Sequence, residues 1–138
     1  MEIVTQLSVF LENKPGTIAA VCDELAAQDV NIYAMTISDT VDHAVVRMVV
    51  SDTIKTVHLL EERGVLVVEN KVLMIENSNK PGAFSRIAAS LAKAKVNIEY
   101  AYFATPPGEK IGLLILRLSD TKQGLKVLQK KIKKKNKA

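Results

Sequence analysis

The strongest constraint on the fold of this chain is an internal repeat. The tetrapeptide Asn-Lys-Pro-Gly stands at residues 13–16 and again at residues 79–82, and 79 − 13 = 66 residues is close to half of the 138-residue chain. Val-Asn-Ile at residues 30–32 recurs at the same offset, at residues 96–98. Self-similarity at this spacing indicates one small structural unit that is present twice.

The repeat continues in the second part of each half. Ser-Asp-Thr at residues 51–53 recurs at residues 119–121, where the offset is 119 − 51 = 68 residues. We therefore predict two related domains, at residues 1–69 and 70–138. Domains of this size bury only about 60% of the surface that their unfolded chains expose, so each is marginally stable alone. We expect the two units to pack together or two chains to pair, and a homodimer or a larger homo-oligomer is the predicted assembly.

The first half predicts six elements in the order strand, helix, strand, strand, helix, strand. The first helix has apolar residues spaced at i, i+3, i+4 and i+7, which is typical of an amphipathic helix. The predicted elements are residues 3–12, 17–28, 30–38, 44–51, 53–64 and 65–68. This βαββαβ order is the split-βαβ, ferredoxin-like arrangement, so the predicted fold class is α+β with two ferredoxin-like units in tandem.

The second half repeats this order with one difference. Its predicted elements are residues 71–76, 83–95, 96–104, 110–118 and 121–132. No apolar segment follows Ile132, so we predict that the second unit lacks its last strand. Because an open sheet edge is usually covered, we expect a symmetry mate or the segment of residues 65–76 to cover it.

The basic charge of the chain belongs to its C-terminus. The net charge is +4, six lysines lie within the last nine residues, and without them the chain carries 4 − 6 = −2. A Lys-rich tail at about residues 130–138 either binds nucleic acid or is a frayed, solvated end. We favour the solvated end, because no arginine or aromatic residue accompanies the lysines as a base-stacking surface requires. Nucleic acid is therefore not an expected partner.

Composition indicates the setting in which the protein works. No apolar run is long enough to span a membrane, and the N-terminus does not have the pattern of a signal peptide. The single cysteine, Cys22, offers neither an internal disulfide nor metal-ligand spacing. We expect a cytoplasmic protein without a membrane partner, a metal or a cofactor.

The repeated tetrapeptide has a chemistry suited to an anion. Proline fixes φ, and glycine allows a tight turn and the close approach of a ligand. The helix that follows opens with unpaired N–H groups and the positive end of its dipole, where a carboxylate is favoured. Asn13 and Asn79 add amide groups, and we expect Asn31 and Asn97 to lie beside the same loops. A small molecule with a carboxylate and an amine suits such a site. The alternative is a structural turn whose asparagines cap backbone groups.

The loop, the βαββαβ order and the Val-Asn-Ile motif together resemble the ACT domain, a regulatory module that binds amino acids. The resemblance covers nearly the whole chain as two consecutive units, and it is similar to stand-alone tandem ACT proteins without a catalytic domain. It implies an effector that lies between the strand-to-helix loop of one domain and a neighbouring domain. The predicted ligand-binding residues are Asn13, Pro15, Gly16, Thr17, Ile18, Asn31, Ile32, Asn79, Pro81, Gly82, Ala83, Phe84, Asn97 and Ile98.

The residues also bear on three other functions. Catalysis is not expected, because His43, His58 and Cys22 follow no catalytic spacing and Cys22 lies on an apolar helix stripe. RNA binding by the sheet is disfavoured, because neither third strand carries an aromatic residue on which a base could stack. A protein–protein interaction module without a ligand stays open as the alternative.

Overall fold

The computed structural model describes residues 1–137. The described chain forms six strands and four helices: β1 (Glu2–Glu12), α1 (Thr17–Ala27), β2 (Ile32–Asp39), β3 (His43–Val50), α2 (Thr53–Glu62), β4 (Leu66–Ser78), α3 (Ala83–Lys93), β5 (Ile98–Ala104), β6 (Ile111–Leu118) and α4 (Thr121–Lys137). The predicted α+β class with tandem βαββαβ units is confirmed. None of the described helices is both long and apolar enough to cross a bilayer.

The chain divides into two compact units, one of which is inserted into the sequence of the other. Thr5–Asn70 forms one unit, here called the N-terminal unit. Met1–Val4 together with Lys71–Ala138 forms the other, here called the C-terminal unit. The N-terminal unit is thus inserted between the first four residues and the remainder of the C-terminal unit. Strands β1 and β4 each contribute residues to both units.

Each unit has an antiparallel sheet with the strand order of a ferredoxin-like fold. The order is β2-β3-β1-β4 in the N-terminal unit and β1-β4-β6-β5 in the C-terminal unit. In the first, β3 pairs with β1 and β2, and in the second, β6 pairs with β4 and β5. Sequence predicted two strands at residues 65–68 and 71–76, but β4 is continuous. Its first residues complete one sheet and its later residues begin the other.

The C-terminal unit obtains its last strand from the start of the chain. No strand follows α4 among the described residues, as the sequence predicts. Met1–Val4 belongs to this unit, and the strand that it begins, β1, lies beside β4. Ile3 packs against the core of the unit. Our expectation that a symmetry mate or residues 65–76 cover the open edge was wrong.

Alternating apolar residues form the two cores. On β1, Leu7, Val9 and Leu11 point to one face, as the two-residue period of a strand requires. They pack with residues of α1 and α2, including Leu25 and Leu60. The C-terminal core repeats the arrangement with residues of β4, β6, α3 and α4: Leu73, Ile75, Leu114, Leu116, Leu91 and Leu128.

The Lys-rich end of the chain is helical. Helix α4 continues to Lys137, so the predictions that it ends near Ile132 and that the tail is frayed were wrong. Lysine has a good helix propensity, and no proline or glycine follows Gly124 to stop the helix. Cations near the C-terminus of a helix are also favoured by its dipole.

Candidate ligand-binding pockets

Both Asn-Lys-Pro-Gly loops end in a glycine with a left-handed backbone. Gly16 has φ 88° and directly precedes α1, and Gly82 has φ 84° and directly precedes α3. Other residue types rarely adopt this conformation, because their Cβ approaches the following carbonyl oxygen. The glycine is therefore needed to turn the chain from the strand into the helix.

The helices that follow begin without side-chain caps. Neither Gly16 nor Gly82 provides a capping hydrogen bond. The N–H group of Thr17 donates to the carbonyl of Lys14 at 3.4 Å, and that of Ala83 donates to the carbonyl of Lys80 at 3.1 Å. The next N–H groups of each first turn have no acceptor within the helix. They leave a positive helix end that favours an anion.

The two loop asparagines brace the loops against the neighbouring hairpins. Asn13 Nδ2 donates to the carboxylate of Asp39 at the end of β2. Asn79 Nδ2 donates to the backbone carbonyl of Glu109 at 2.8 Å. These contacts match the structural-turn alternative for the asparagine side chains. A role for them in ligand binding stays a prediction.

A groove of about 610 Å³ opens beside the loop of the N-terminal unit. It lies between the end of β1, the first turns of α1 and the residues that follow α2, and we call it the N-terminal pocket. Phe10 and Val21 contribute apolar walls, and Glu12, Lys14 and Arg63 contribute charge. Three predicted residues also line it: Pro15, Gly16 and Thr17.

A second cavity, of about 550 Å³, occupies the corresponding place in the C-terminal unit. We call it the C-terminal pocket. It is lined by the end of β4, by α3 and by α4, with Ala83, Arg86 and Lys131 at the repeat positions of Thr17, Ala20 and Arg63. Met1, directly before β1, also lines it.

Charges in the N-terminal pocket are paired. Glu12 and Lys14 form an ion pair at 2.9 Å, and this contact lowers the pKa of the Glu12 carboxyl. Arg63 forms an ion pair with Glu24 of α1. The Thr17 Oγ1 atom is buried without a hydrogen-bond partner, which is a destabilising arrangement for a polar atom.

Charges in the C-terminal pocket are arranged differently. Lys131 Nζ donates to Ser90 Oγ at 2.8 Å and to the backbone carbonyl of Arg86 at 3.4 Å. The Arg86 guanidinium lies against the loop glycine, since a Cβ built on Gly82 would be 3.1 Å from Arg86 Nη1. Within the described chain, neither cation forms a salt bridge with a carboxylate.

The aromatic and apolar residues after the glycines are held by their own units. Ile18 packs against the N-terminal core. Phe84 packs against the C-terminal core and stacks on Phe103, with ring centroids 5.1 Å apart. Pro81 lies in the exposed turn before Gly82. The residues after the glycine therefore position the helix as well as border the loop.

Asn31 does not lie beside the loop of its own unit. Ile32 pairs with Val50 at one end of β3, whereas Glu12 pairs with His43 at the other end. Since the loop follows Glu12, it lies at the opposite end of the sheet from Asn31. The predicted proximity was wrong.

The same geometry separates Asn97 from the second loop. Ile98 pairs with Leu118 at one end of β6, and Ser78, directly before the loop, pairs with Ile111 at the other end. Asn97 is close to the loop in sequence, but helix α3 returns the chain to the end of the sheet opposite the loop, so that β5 begins far from the loop.

The Val-Asn-Ile and Ser-Asp-Thr repeats contact each other instead. The Asn31 N–H donates to Ser51 Oγ at 2.8 Å, and the Ser51 N–H donates to the Asn31 carbonyl at 2.9 Å. Asn97 and Ser119 form the same two bonds, each at 2.9 Å. The isoleucines of the motif pack against the cores of their units: Ile32 and Ile98. These repeated motifs thus have a structural explanation.

Two basic residues that line the pockets were not among the predicted site residues: Arg63, directly after α2, and Lys131, within α4. Arg63 and Lys131 stand at the 68-residue offset set by the Ser-Asp-Thr motif. Extending the repeat alignment ten residues beyond that motif would have found them. Their position beside the loop depends on helix packing, which the repeat alone does not reveal.

Other reactive groups lie outside the pockets. Cys22 is a free, partly buried thiol, and burial together with the neighbouring Asp23 raises its pKa. A raised pKa lowers the thiolate fraction and hence the nucleophilicity. The described residues contain no cluster of three or more His, Cys, Asp or Glu side chains that could hold a metal.

Comparison with known proteins identifies the family. The model of the ACT domain pair matches residues 1–136. The chain belongs to the ACT domain pair family. Among solved structures, this ACT pair is similar to protein BT0572 of Bacteroides thetaiotaomicron, with 31% identity and a TM-score of 0.87 over 94% of this chain and 88% of that one.

A more distant similarity connects the ACT pair to an enzyme subunit. The ligand-free regulatory subunit of aspartate kinase from Thermus thermophilus has the same fold, with a TM-score of 0.66 and 14% identity. The match covers 94% of this chain and 97% of that subunit. No curated protein sequence matches this ACT pair significantly.

Proposed function

We propose that this ACT domain pair is a regulatory protein that binds a free amino acid in the pockets beside its Asn-Lys-Pro-Gly loops. The observation that carries the proposal is the occurrence of two pockets at corresponding places of the two repeats. Each is bordered by the first residue of an uncapped helix, Thr17 in one pocket and Ala83 in the other, and Gly16 also lines the N-terminal pocket. Similarity to a subunit described as regulatory is consistent with this role.

The lining of each pocket provides partners for the groups that all amino acids share. The α-carboxylate suits the uncapped N–H groups at the helix start and the neighbouring basic side chains. The α-ammonium group suits the carboxylate of Glu12 in one pocket and of Glu76 in the other. Apolar walls can accommodate the ligand side chain, as in most small-molecule sites.

The proposed effect of ligand binding is a change in association with other chains and not catalysis of a reaction. We propose that ligand occupancy changes the association of a homodimer or of the protein with a partner. The ligand can shift such an equilibrium only by its difference in affinity for the two states. Cytoplasmic location remains a prediction.

The alternative is an interaction module that has no ligand. One observation favours it: the amide groups of Asn13 and Asn79 are already engaged with Asp39 and Glu109. Those side chains would then serve to fix the loops. RNA binding is the weaker alternative, because β3 and β6 present no Phe, Tyr or Trp side chain on which a base could stack.

Calorimetry and thermal unfolding with each of the twenty amino acids would test the proposal. A ligand that binds only the folded state, present at one hundred times its Kd, stabilises that state by about 2.7 kcal/mol. We expect one amino acid or a small chemical group of them to raise the Tm by several degrees. If none gives heat or a Tm shift at millimolar concentration, the interaction-module alternative takes precedence.

A further inference from the structure

The two pockets can be compared position by position, because the repeat supplies an internal reference. In the N-terminal pocket, the two basic residues are each neutralised by a glutamate: Lys14 by Glu12 and Arg63 by Glu24. All four belong to one unit. Together they carry no net charge at neutral pH.

Both glutamates are replaced by serine in the second repeat. Ser78 stands at the position of Glu12, and Ser90 stands at the position of Glu24. Ser90 has the same structural role as Glu24. Its Oγ accepts a hydrogen bond from Lys131 at 2.8 Å, and Glu24 forms the corresponding ion pair with Arg63. The hydrogen bond is preserved and the negative charge is lost.

Two further exchanges alter the charge of the C-terminal pocket. Arg86 stands at the position of Ala20 and adds a cation, and Glu76 stands at the position of Phe10 and adds an anion. Phe10 and Ala20 line the N-terminal pocket, and Glu76 and Arg86 line the C-terminal pocket. The charged side chains that line the C-terminal pocket are Glu76, Arg86 and Lys131. Neither of these two cations forms a salt bridge with a carboxylate in the described chain, whereas Lys14 and Arg63 of the N-terminal pocket are both paired.

We infer that the C-terminal pocket selects an amino acid with an acidic side chain, whereas the N-terminal pocket takes one with a neutral side chain. This inference rests on the proposed function. The Arg86 guanidinium and the Lys131 ammonium group are the proposed partners of the second carboxylate. Guanidinium binds a carboxylate through two parallel hydrogen bonds, which gives both strength and direction. Glu76 is left to receive the ligand ammonium group.

Binding of isosteric pairs tests the inference directly. L-aspartate and L-asparagine have nearly the same shape and differ in side-chain charge, as do L-glutamate and L-glutamine. We expect one of the two acids to bind the intact protein at least about tenfold more tightly than its amide in low-salt calorimetry, because hydrogen bonds between charged groups are the stronger ones. Added salt should reduce this ratio.

The variant Arg86→Gln should lower the acid-to-amide ratio to below about threefold. Arg86 is exposed, so the variant is expected to fold, and its Tm reports on that independently. Lys93→Gln is the matched control, because Lys93 lies on the same helix, is exposed and lines neither pocket. It removes the same charge and should leave the ratio unchanged.

The possible results separate this inference from the proposed function. If amino acids bind but neither acid is preferred over its amide, the inference is overturned and the proposed function stands. The same holds if the preference survives Arg86→Gln or is lost equally in Lys93→Gln. If no amino acid binds at all, both are overturned.

Discussion

At the scale of single residues, the two glycines that precede α1 and α3 have the same backbone but different surroundings. A Cβ at Gly16 would meet no atom within 4 Å, whereas a Cβ at Gly82 would lie 3.1 Å from Arg86 Nη1. Both positions have a φ that a branched side chain tolerates poorly. The difference lies in what the added side chain would displace.

Gly16→Val and Gly82→Val, made separately, should therefore weaken ligand binding by different amounts. Each should destabilise the fold by about 1–3 kcal/mol through backbone strain, and each should still fold. Gly82→Val should cause the larger loss for an acidic ligand, because the valine pushes the Arg86 guanidinium from its place. Calorimetry on each variant, with circular dichroism as the folding check, measures both effects.

Two results would contradict the expected unequal effects of Gly16→Val and Gly82→Val. Equal losses from the two substitutions would mean that the pockets do not act independently. Unchanged binding in both variants would mean that the loops are structural turns and that the ligand site lies elsewhere.

The turn conformation of the loop glycines could be predicted from sequence, but the hydrogen-bond partners of the loop asparagines could not. The glycine conformation follows from the short path between a strand and a helix. The partners of Asn13 and Asn79 lie 26 and 30 residues away along the chain, at the ends of hairpins. Contacts of that kind depend on strand direction and packing. The wrong placement of Asn31 and Asn97 has the same cause.

At the scale of elements, apolar periodicity predicted the order of the strands and helices in both repeats, but not the continuity of β4 or the length of α4. This pattern could not show that β1 serves two units, because the residues on both sides of the boundary between Val4 and Thr5 form one continuous strand. The same holds for β4 between Asn70 and Lys71. A local pattern specifies a strand but not the sheet in which it pairs.

The segment Met1–Val4 should stabilise the C-terminal unit through Ile3. Truncating a fully buried isoleucine to alanine costs about 2–5 kcal/mol, and Ile3 is only half-buried, so we expect Ile3→Ala to cost about 1–2 kcal/mol. Hydrogen exchange should quicken at amides of β4 and β6 more than at amides of β2 and β3. Denaturant unfolding provides the total loss of stability.

Glu2→Ala is the control for this segment, since Glu2 is exposed on the same strand. An exposed substitution of this kind usually changes the stability by less than about 0.5 kcal/mol. An Ile3→Ala effect as small as the control, or faster exchange confined to the N-terminal unit, would show that the segment does not complete the C-terminal sheet.

At the scale of the whole molecule, the structure changes the basis for expecting an oligomer. The sequence argument relied on the small size of each unit and on a missing strand. The missing strand is supplied by the same chain. That feature therefore does not require a second copy.

Edge strand β2 provides the remaining argument for a homodimer. It is the outer strand in the order β2-β3-β1-β4, so one side of its backbone has no neighbouring strand within its unit. Tyr33 and Ile37 on this strand are each 53% exposed. An exposed edge with large apolar side chains is a common site of pairing between chains. β5 has one comparable side chain, Phe103, and that ring is stacked on Phe84.

We therefore expect sedimentation equilibrium at micromolar concentration to show a homodimer and Ile37→Lys to shift it towards the monomer. A lysine on an edge strand opposes pairing, because burial of its charge against a second copy is costly. Val41→Lys is the control, since Val41 is 97% exposed in the β2–β3 turn and lies outside the edge. A monomeric parent protein would refute the homodimer. A dimer that withstands Ile37→Lys would place the contact on a different surface. The proposed regulation requires the association to change on binding. Sedimentation equilibrium repeated with bound amino acid would then show whether that surface responds to the ligand.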